Sequence, residues 1–138
     1  ALAPTISRKD AIFNLQRVLS LVHALQNGEY DRLREAVRDT WHQPARAALV
    51  PQLGTVLALE DREILGAFLS GAGPSVALLA RRDFPRLEQL LRSTYEQAGC
   101  PVTARTLGVH QATEVAAARP AAAAGACPAG EALVHRAG

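Results

Sequence analysis

Residues 66–80 constrain the fold more than any other stretch of the chain. Two apolar runs, Gly66-Ala67-Phe68-Leu69 and Val76-Ala77-Leu78-Leu79-Ala80, flank the segment Ser70-Gly71-Ala72-Gly73-Pro74-Ser75. Each run is short for a buried helix and the right length for a strand. Two glycines two apart, followed by proline, let a backbone turn sharply. The stretch predicts a hairpin, so the fold must contain a sheet. The same loop can also turn successive N–H groups toward an anion, with Ser70 and Ser75 adding hydroxyl donors. It is not a Walker loop, because no Gly-Lys-Ser/Thr follows. It is not a dinucleotide fingerprint, because no helix obviously begins there. Taken alone, it reads more readily as a plain turn than as an anion site.

The rest of the chain is read mostly as helix. Ser7, three residues before Asp10, has the pattern of a capping box and opens a helix over about Arg8–Gln26. Ile12, Leu15, Leu19 and Val22 form one stripe, widened by Val18, Leu21 and Leu25, so this helix is expected to be buried along much of its surface. Asn27-Gly28 is its stop signal. A second helix is expected over Asp31–Trp41, ending where Pro44 disfavours helix at the residue before it. Residues 42–53 read as a connector bracketed by Pro44 and Pro51, and Thr55–Ile64 as a third short helix. After the hairpin, Asp83 is expected to cap a helix reaching Ala98, with Pro85 tolerated in its first turn. Leu87, Leu90, Leu91 and Tyr95 share a face of it. Pro101–Val109 alternates as a strand should.

The order helix, helix, helix, strand, strand, helix, strand predicts an α+β fold, an antiparallel sheet with helices packed on one face. Residues 1–112 make one domain. Residues 113–138 are an Ala/Pro/Gly-rich tail with almost no large apolar residues, expected to be disordered.

Composition narrows the functional classes. The net charge of +2, with arginines scattered along the chain, argues against a nucleic-acid partner. No apolar run reaches the length of a membrane span, so no membrane partner is expected. Cys100 and Cys127 lie in no CxxC or Cys/His ligand spacing, so no metal site is expected and a reducing, cytoplasmic setting is. The chain has no methionine and begins with Ala1, and is read as a processed chain or a piece of a longer one.

Two further segments carry candidate chemistry. In His42-Gln43-Pro44-Ala45-Arg46-Ala47-Ala48-Leu49-Val50-Pro51, two prolines stiffen a loop bearing one arginine. A fixed guanidinium there can clamp a carboxylate with two parallel hydrogen bonds, although a surface arginine on a connector fits the spacing as well. His42 reads as a residue bonded at a helix end, with a general base as the rarer alternative. In Asp10-Ala11-Ile12-Phe13-Asn14-Leu15-Gln16-Arg17, Asn14 and Arg17 share one helix face and either reach a cleft or form a polar edge. Asp61 and Glu63 read as solvated helix residues. No triad, carboxylate pair or HExxH pattern stands out, and no residue is assigned as catalytic.

Taken in order, these three segments resemble the homoserine kinases of the GHMP kinase superfamily. The Ser-Gly-Ala-Gly-Pro loop points to the superfamily, and His42-Gln43-Pro44 with Arg46 and Leu49-Val50-Pro51 narrows it to homoserine kinase. The resemblance spans roughly residues 3–110. It implies the C-terminal part of an enzyme that transfers the γ-phosphate of ATP to the side-chain hydroxyl of L-homoserine, in threonine biosynthesis. It implies that Arg46 binds the homoserine carboxylate, and that Ser70, Gly71, Ala72, Gly73, Pro74 and Ser75 lie near substrate and phosphates. It implies that ATP and Mg2+ are bound mainly by an N-terminal kinase domain whose Pro…Gly-Leu-Gly-Ser-Ser loop is not in this sequence. That domain would be the partner of this one, and the 138 residues would be inactive alone. A homodimer is compatible with the resemblance. The alternatives are another GHMP small-molecule kinase, a non-catalytic ligand-binding α+β domain, and an interaction module whose exposed apolar face the missing domain covers.

Overall fold

The computed structural model describes residues 2–109 and the backbone of strand 131–136. Helix α1 (Arg8–Asn27) begins as its residues dictate: the Ser7 hydroxyl oxygen accepts the Asp10 N–H at 3.0 Å and donates to Asp10 Oδ2 at 2.5 Å. It ends at Gly28, where φ of 67° lets the N–H turn back to Ala24 O. The expected second helix is instead broken. A 3-10 turn (Tyr30–Arg32) leads into α2 (Leu33–Ala36), and a separate short helix α3 (His42–Arg46) lies within the expected connector. The cause is Asp39, whose carboxylate accepts the N–H groups of both Trp41 and Gln43 and so starts a new helix. Helix α4 (Leu53–Leu57) is shorter than expected, because Ile64 already belongs to the sheet.

Strands β1 (Ile64–Leu69) and β2 (Val76–Ala80) form the expected antiparallel hairpin, with Leu69 opposite Val76 and a bulge between Ile64 and Gly66. Helix α5 (Phe84–Gln97) buries Leu87, Leu91 and Tyr95. Asp83 does not cap it: its side chain turns to Arg86 Nε at 2.5 Å, and its own backbone is left-handed. Strand β3 (Thr103–Gly108) follows, and β4 (Glu131–Arg136) lies between β2 and β3, parallel to both.

The α+β class holds, with four departures from the expected arrangement. Residues 131–136 of the supposed tail form a strand, and the rest of 113–138 lies outside the described residues. Backbone pairing on both sides supplies what side-chain composition does not reveal. As a result the sheet is antiparallel only in its hairpin. The helices also divide between two faces. Helices α4 and α5 close the main core of Val50, Leu53, Val56, Ile64, Leu69, Val76, Leu78, Ala80, Leu87, Leu91, Tyr95 and Ala104. On the opposite face Leu65 meets Leu33 of α2 and Ala24 of α1. Both faces are covered because β1 and β2 are apolar at odd and even positions alike.

Helix α1 is the largest departure. Its one buried residue is Ala24, while Ile12, Leu15, Val18, Leu19, Val22 and Leu25 are each about half exposed or more, Leu19 at 64%. Its polar residues face the body: Asn14 Nδ2 donates to Asp39 Oδ1 at 2.6 Å, and Arg17 Nη1 to Glu35 Oε1 at 2.6 Å. The helix is amphipathic in the inverted sense, with its apolar stripe facing outward. Among the described residues no helix is long and apolar enough to cross a membrane.

Candidate functional site

The site is built from α3 and the glycine loop. Helix α3 is too short to hold itself in place. Asp39 supplies the hold at its start. Oδ1 accepts the Trp41 N–H at 3.0 Å and the Asn14 amide, and Oδ2 accepts the Gln43 N–H at 2.5 Å. Partial burial pushes this carboxyl up, but the Gln43 and Trp41 N–H groups and the Asn14 amide outweigh it and hold it below its usual range. Asn14 Oδ1 in turn accepts the Thr40 N–H at 3.1 Å and the Thr40 hydroxyl at 3.2 Å. The chain from 39 to 43 is therefore tied to α1.

Gln43 is buried, at 8% exposure. Its Nε2 donates to Val37 O at 3.2 Å, and its Oε1 accepts the N–H of Leu69, the last residue of β1, at 3.1 Å. One turn later along α3, Arg46 reaches the glycine loop, where Nη1 donates to Ala72 O at 2.5 Å. The Arg46 Nε is buried and meets no hydrogen-bond partner among the described residues. The loop is closed by Ser70 N–H to Ser75 O at 2.9 Å and by Gly73 N–H to Ser70 O at 3.2 Å. Gly71 and Gly73 are left-handed, and the Gly73-Pro74 bond is cis. The structure thus joins two segments 26 residues apart that the sequence offered separately, Arg46 and the loop of Ser70 to Ser75.

The other candidates are structural in their contacts. His42 is exposed at the start of α3, its ring tilted against Trp41 at 4.5 Å, and its Nδ1 lies 3.8 Å from Asp39 Oδ1, beyond hydrogen-bond length. Asn14 pairs with Asp39 and Arg17 with Glu35. Asp61 precedes β1 and is gripped at both oxygens by Arg86, whose hydrogen bonds hold the carboxyl down at about 2. Glu63 pairs with Arg62 and Arg82, and, against the expectation of solvated helix residues, neither carboxylate lies in a helix and both are largely covered. Cys100 is a free thiol, and Cys127 lies outside the described residues. Among the described residues no group of three or more His, Cys, Asp or Glu is placed to hold a metal ion.

Asp39 is a functional residue that sequence reasoning missed, and Gln43 stands out in the sequence only as a neighbour of Arg46. A signal was present. An Asp two and four residues ahead of Trp41 and Gln43, just before a proline, is placed as a capping acceptor for a short helix.

Residues 21–97, more than half of the chain, match the family described as GHMP kinases C terminal. The matched span contains Arg46 and the whole glycine loop. Similar proteins include the homoserine kinase of Persephonella marina, 41% identical over 95 residues, which are 68% of this chain and 32% of that protein. The homoserine kinase of Solibacter usitatus is 40% identical over 93 residues, covering 67% of this chain and 31% of its own length. A homoserine kinase of Thermus thermophilus is 45% identical over 84 residues, covering 59% of this chain and 28% of that protein. The chain spans about a third of the length of these curated relatives.

Proposed function

The chain belongs to the GHMP kinases, through their C-terminal domain, and on that premise we propose that it is the substrate-side part of a homoserine kinase. The reaction is transfer of the γ-phosphate of ATP to the side-chain hydroxyl of L-homoserine, on the route to threonine, in the cytoplasm. The observation that carries this reading is the docking of Arg46 on the glycine loop. Nη1 of the guanidinium holds the loop, which leaves the rest of the group as donor for an incoming acceptor. A substrate carboxylate fits that role, since guanidinium and carboxylate pair with matched planar geometry. With the carboxylate held by Arg46, the homoserine hydroxyl lies toward Ser70 to Ser75 and the phosphates.

Phosphoryl transfer depends mostly on positioning and charge neutralisation. Mg2+, if bound with ATP, would supply positive charge that offsets the charge of the phosphates. In this reading ATP and Mg2+ are held mainly by the N-terminal kinase domain of the longer protein. The test is ADP formation by the complete protein with homoserine, set against other alcohol substrates of small-molecule kinases. Homoserine-dependent turnover is expected from the complete protein and none from the 138 residues alone. Turnover with a different alcohol, or by the 138 residues alone, would defeat the reading.

The same reading assigns the α1 stripe to that N-terminal domain. Six large aliphatic side chains on one exposed helix face form a contiguous patch of the kind that marks a protein contact. Leu15→Glu with Leu19→Glu should destabilise the complete protein by about 3–6 kcal/mol, from two leucines withdrawn from a buried contact. In the 138 residues alone the pair should stay within about 1 kcal/mol, as exposed substitutions do. Denaturant unfolding of both chains decides it, and equal small effects would remove the interface.

A further inference from the structure

We infer that Gln43 is a positioning residue that sets the glycine loop and Arg46 as one unit, by plugging the open edge of the sheet where the loop begins. Strand β1 lies at the edge of the described sheet, so its outward N–H groups have no strand to pair with among the described residues. The last of them, Leu69 N–H, lies immediately before Ser70 and is buried. Gln43 Oε1 accepts it at 3.1 Å, while Gln43 Nε2 donates to Val37 O at 3.2 Å, just beyond the end of α2. A side-chain amide can do both at once because it carries a donor and an acceptor on one planar group. Gln43 is the buried polar residue of the described chain, and both ends of its amide are satisfied by backbone.

The same short helix touches the loop twice. Gln43 fixes its entry at Leu69, and Arg46 fixes its apex at Ala72. Helix α3 is itself fixed through Asp39 to Asn14 of α1. Any tilt of α3 moves Arg46 and the loop together, so the distance between them is kept while both are placed against the rest of the molecule. The physical cause is that Leu69 N–H, if left unbonded, would be a buried unsatisfied donor, which the loop would relieve by moving out toward water.

The kinetic part of the test rests on the homoserine-kinase reading, and the exchange part does not. In the complete protein, Gln43→Ala is expected to speed amide hydrogen exchange over residues 69–73 at least about tenfold, with α5 unchanged. The same variant should lower kcat/KM for homoserine at least about tenfold and leave KM for ATP within about threefold. Gln43→Glu supplies a readout that a simple packing role would not move. Protonated, the new side chain both donates to Val37 O and accepts from Leu69 N–H; ionised, it sets a negative charge against that carbonyl. Burial raises its pKa, so its activity relative to the parent protein should recover as pH falls from about 8 to about 6. If Gln43→Ala does not fold, the Gln43→Glu profile decides alone. Unchanged exchange at Leu69, or a Gln43→Glu profile parallel to the parent's, overturns the inference. Faster exchange in a protein that does not phosphorylate homoserine upholds the latch and defeats only the substrate.

Discussion

Arg46→Lys in the complete protein is expected to raise KM for homoserine about ten- to a hundredfold and to leave KM for ATP within about threefold. That is the loss of one hydrogen bond to a charged group, about 1.5–3 kcal/mol. The guanidinium is asked to do two things that an ammonium cannot do together. It donates to Ala72 O, which holds the loop, and it keeps further donors on the same plane for the substrate. Lysine carries the charge but offers it as a point, without a fixed fork. An ammonium that bonds Ala72 O gives up the planar pairing with a carboxylate, and one that turns to the carboxylate frees the loop. Steady-state kinetics with each substrate varied separately checks this. Equal effects on the two KM values would remove the carboxylate role from Arg46.

Gly73→Ala is expected to destabilise the domain by roughly 2–4 kcal/mol, well beyond Gly71→Ala at about 1–2 kcal/mol, which is what a left-handed backbone alone costs a residue with a side chain. Both glycines are left-handed, at φ +61° and φ +81°. They differ in surroundings. A Cβ at Gly71 meets nothing within 4 Å, whereas at Gly73 it lies 3.0 Å from Val50 Cγ2 and 3.1 Å from Leu69 Cδ1. Val50 and Leu69 are buried members of the main core, so neither can swing into solvent to make room. The loop would have to lift, and Leu69 also carries the N–H that Gln43 accepts. Thermal or denaturant unfolding of the two variants side by side tests the ranking. Equal destabilisation would mean that conformation alone, and not packing against Val50 and Leu69, requires glycine at 73.

These two residues illustrate what was readable in advance. Gly73 and Arg46 were both singled out from their sequence neighbourhoods, because a paired-glycine turn and a proline-framed arginine are local patterns. Neither pattern reveals that Arg46 lies against Ala72, since the two are 26 residues apart. Asn14 shows the limit from the other side. Its place on a helix face was plain, but its partner is Asp39, 25 residues on, and sequence spacing carries no information about that pairing.

The sequence by itself determined the elements whose causes lie within a few residues. Ser7 and Asp10 start α1 and Gly28 ends it, the two apolar runs and their loop make the hairpin, and Leu87, Leu91 and Tyr95 place one face of α5 in the core. Caps, turns and helical periodicity act through neighbouring backbone, so they can be read along a line. Only the tertiary structure decided which side of α1 turns inward, that β4 lies between β2 and β3, and that α3 grips the loop at Leu69 and Ala72. Each of those depends on groups far apart in the chain. An aliphatic stripe records that it must be covered and not by what, and a backbone N–H at a sheet edge is the same in every sequence until a Gln43 is folded against it.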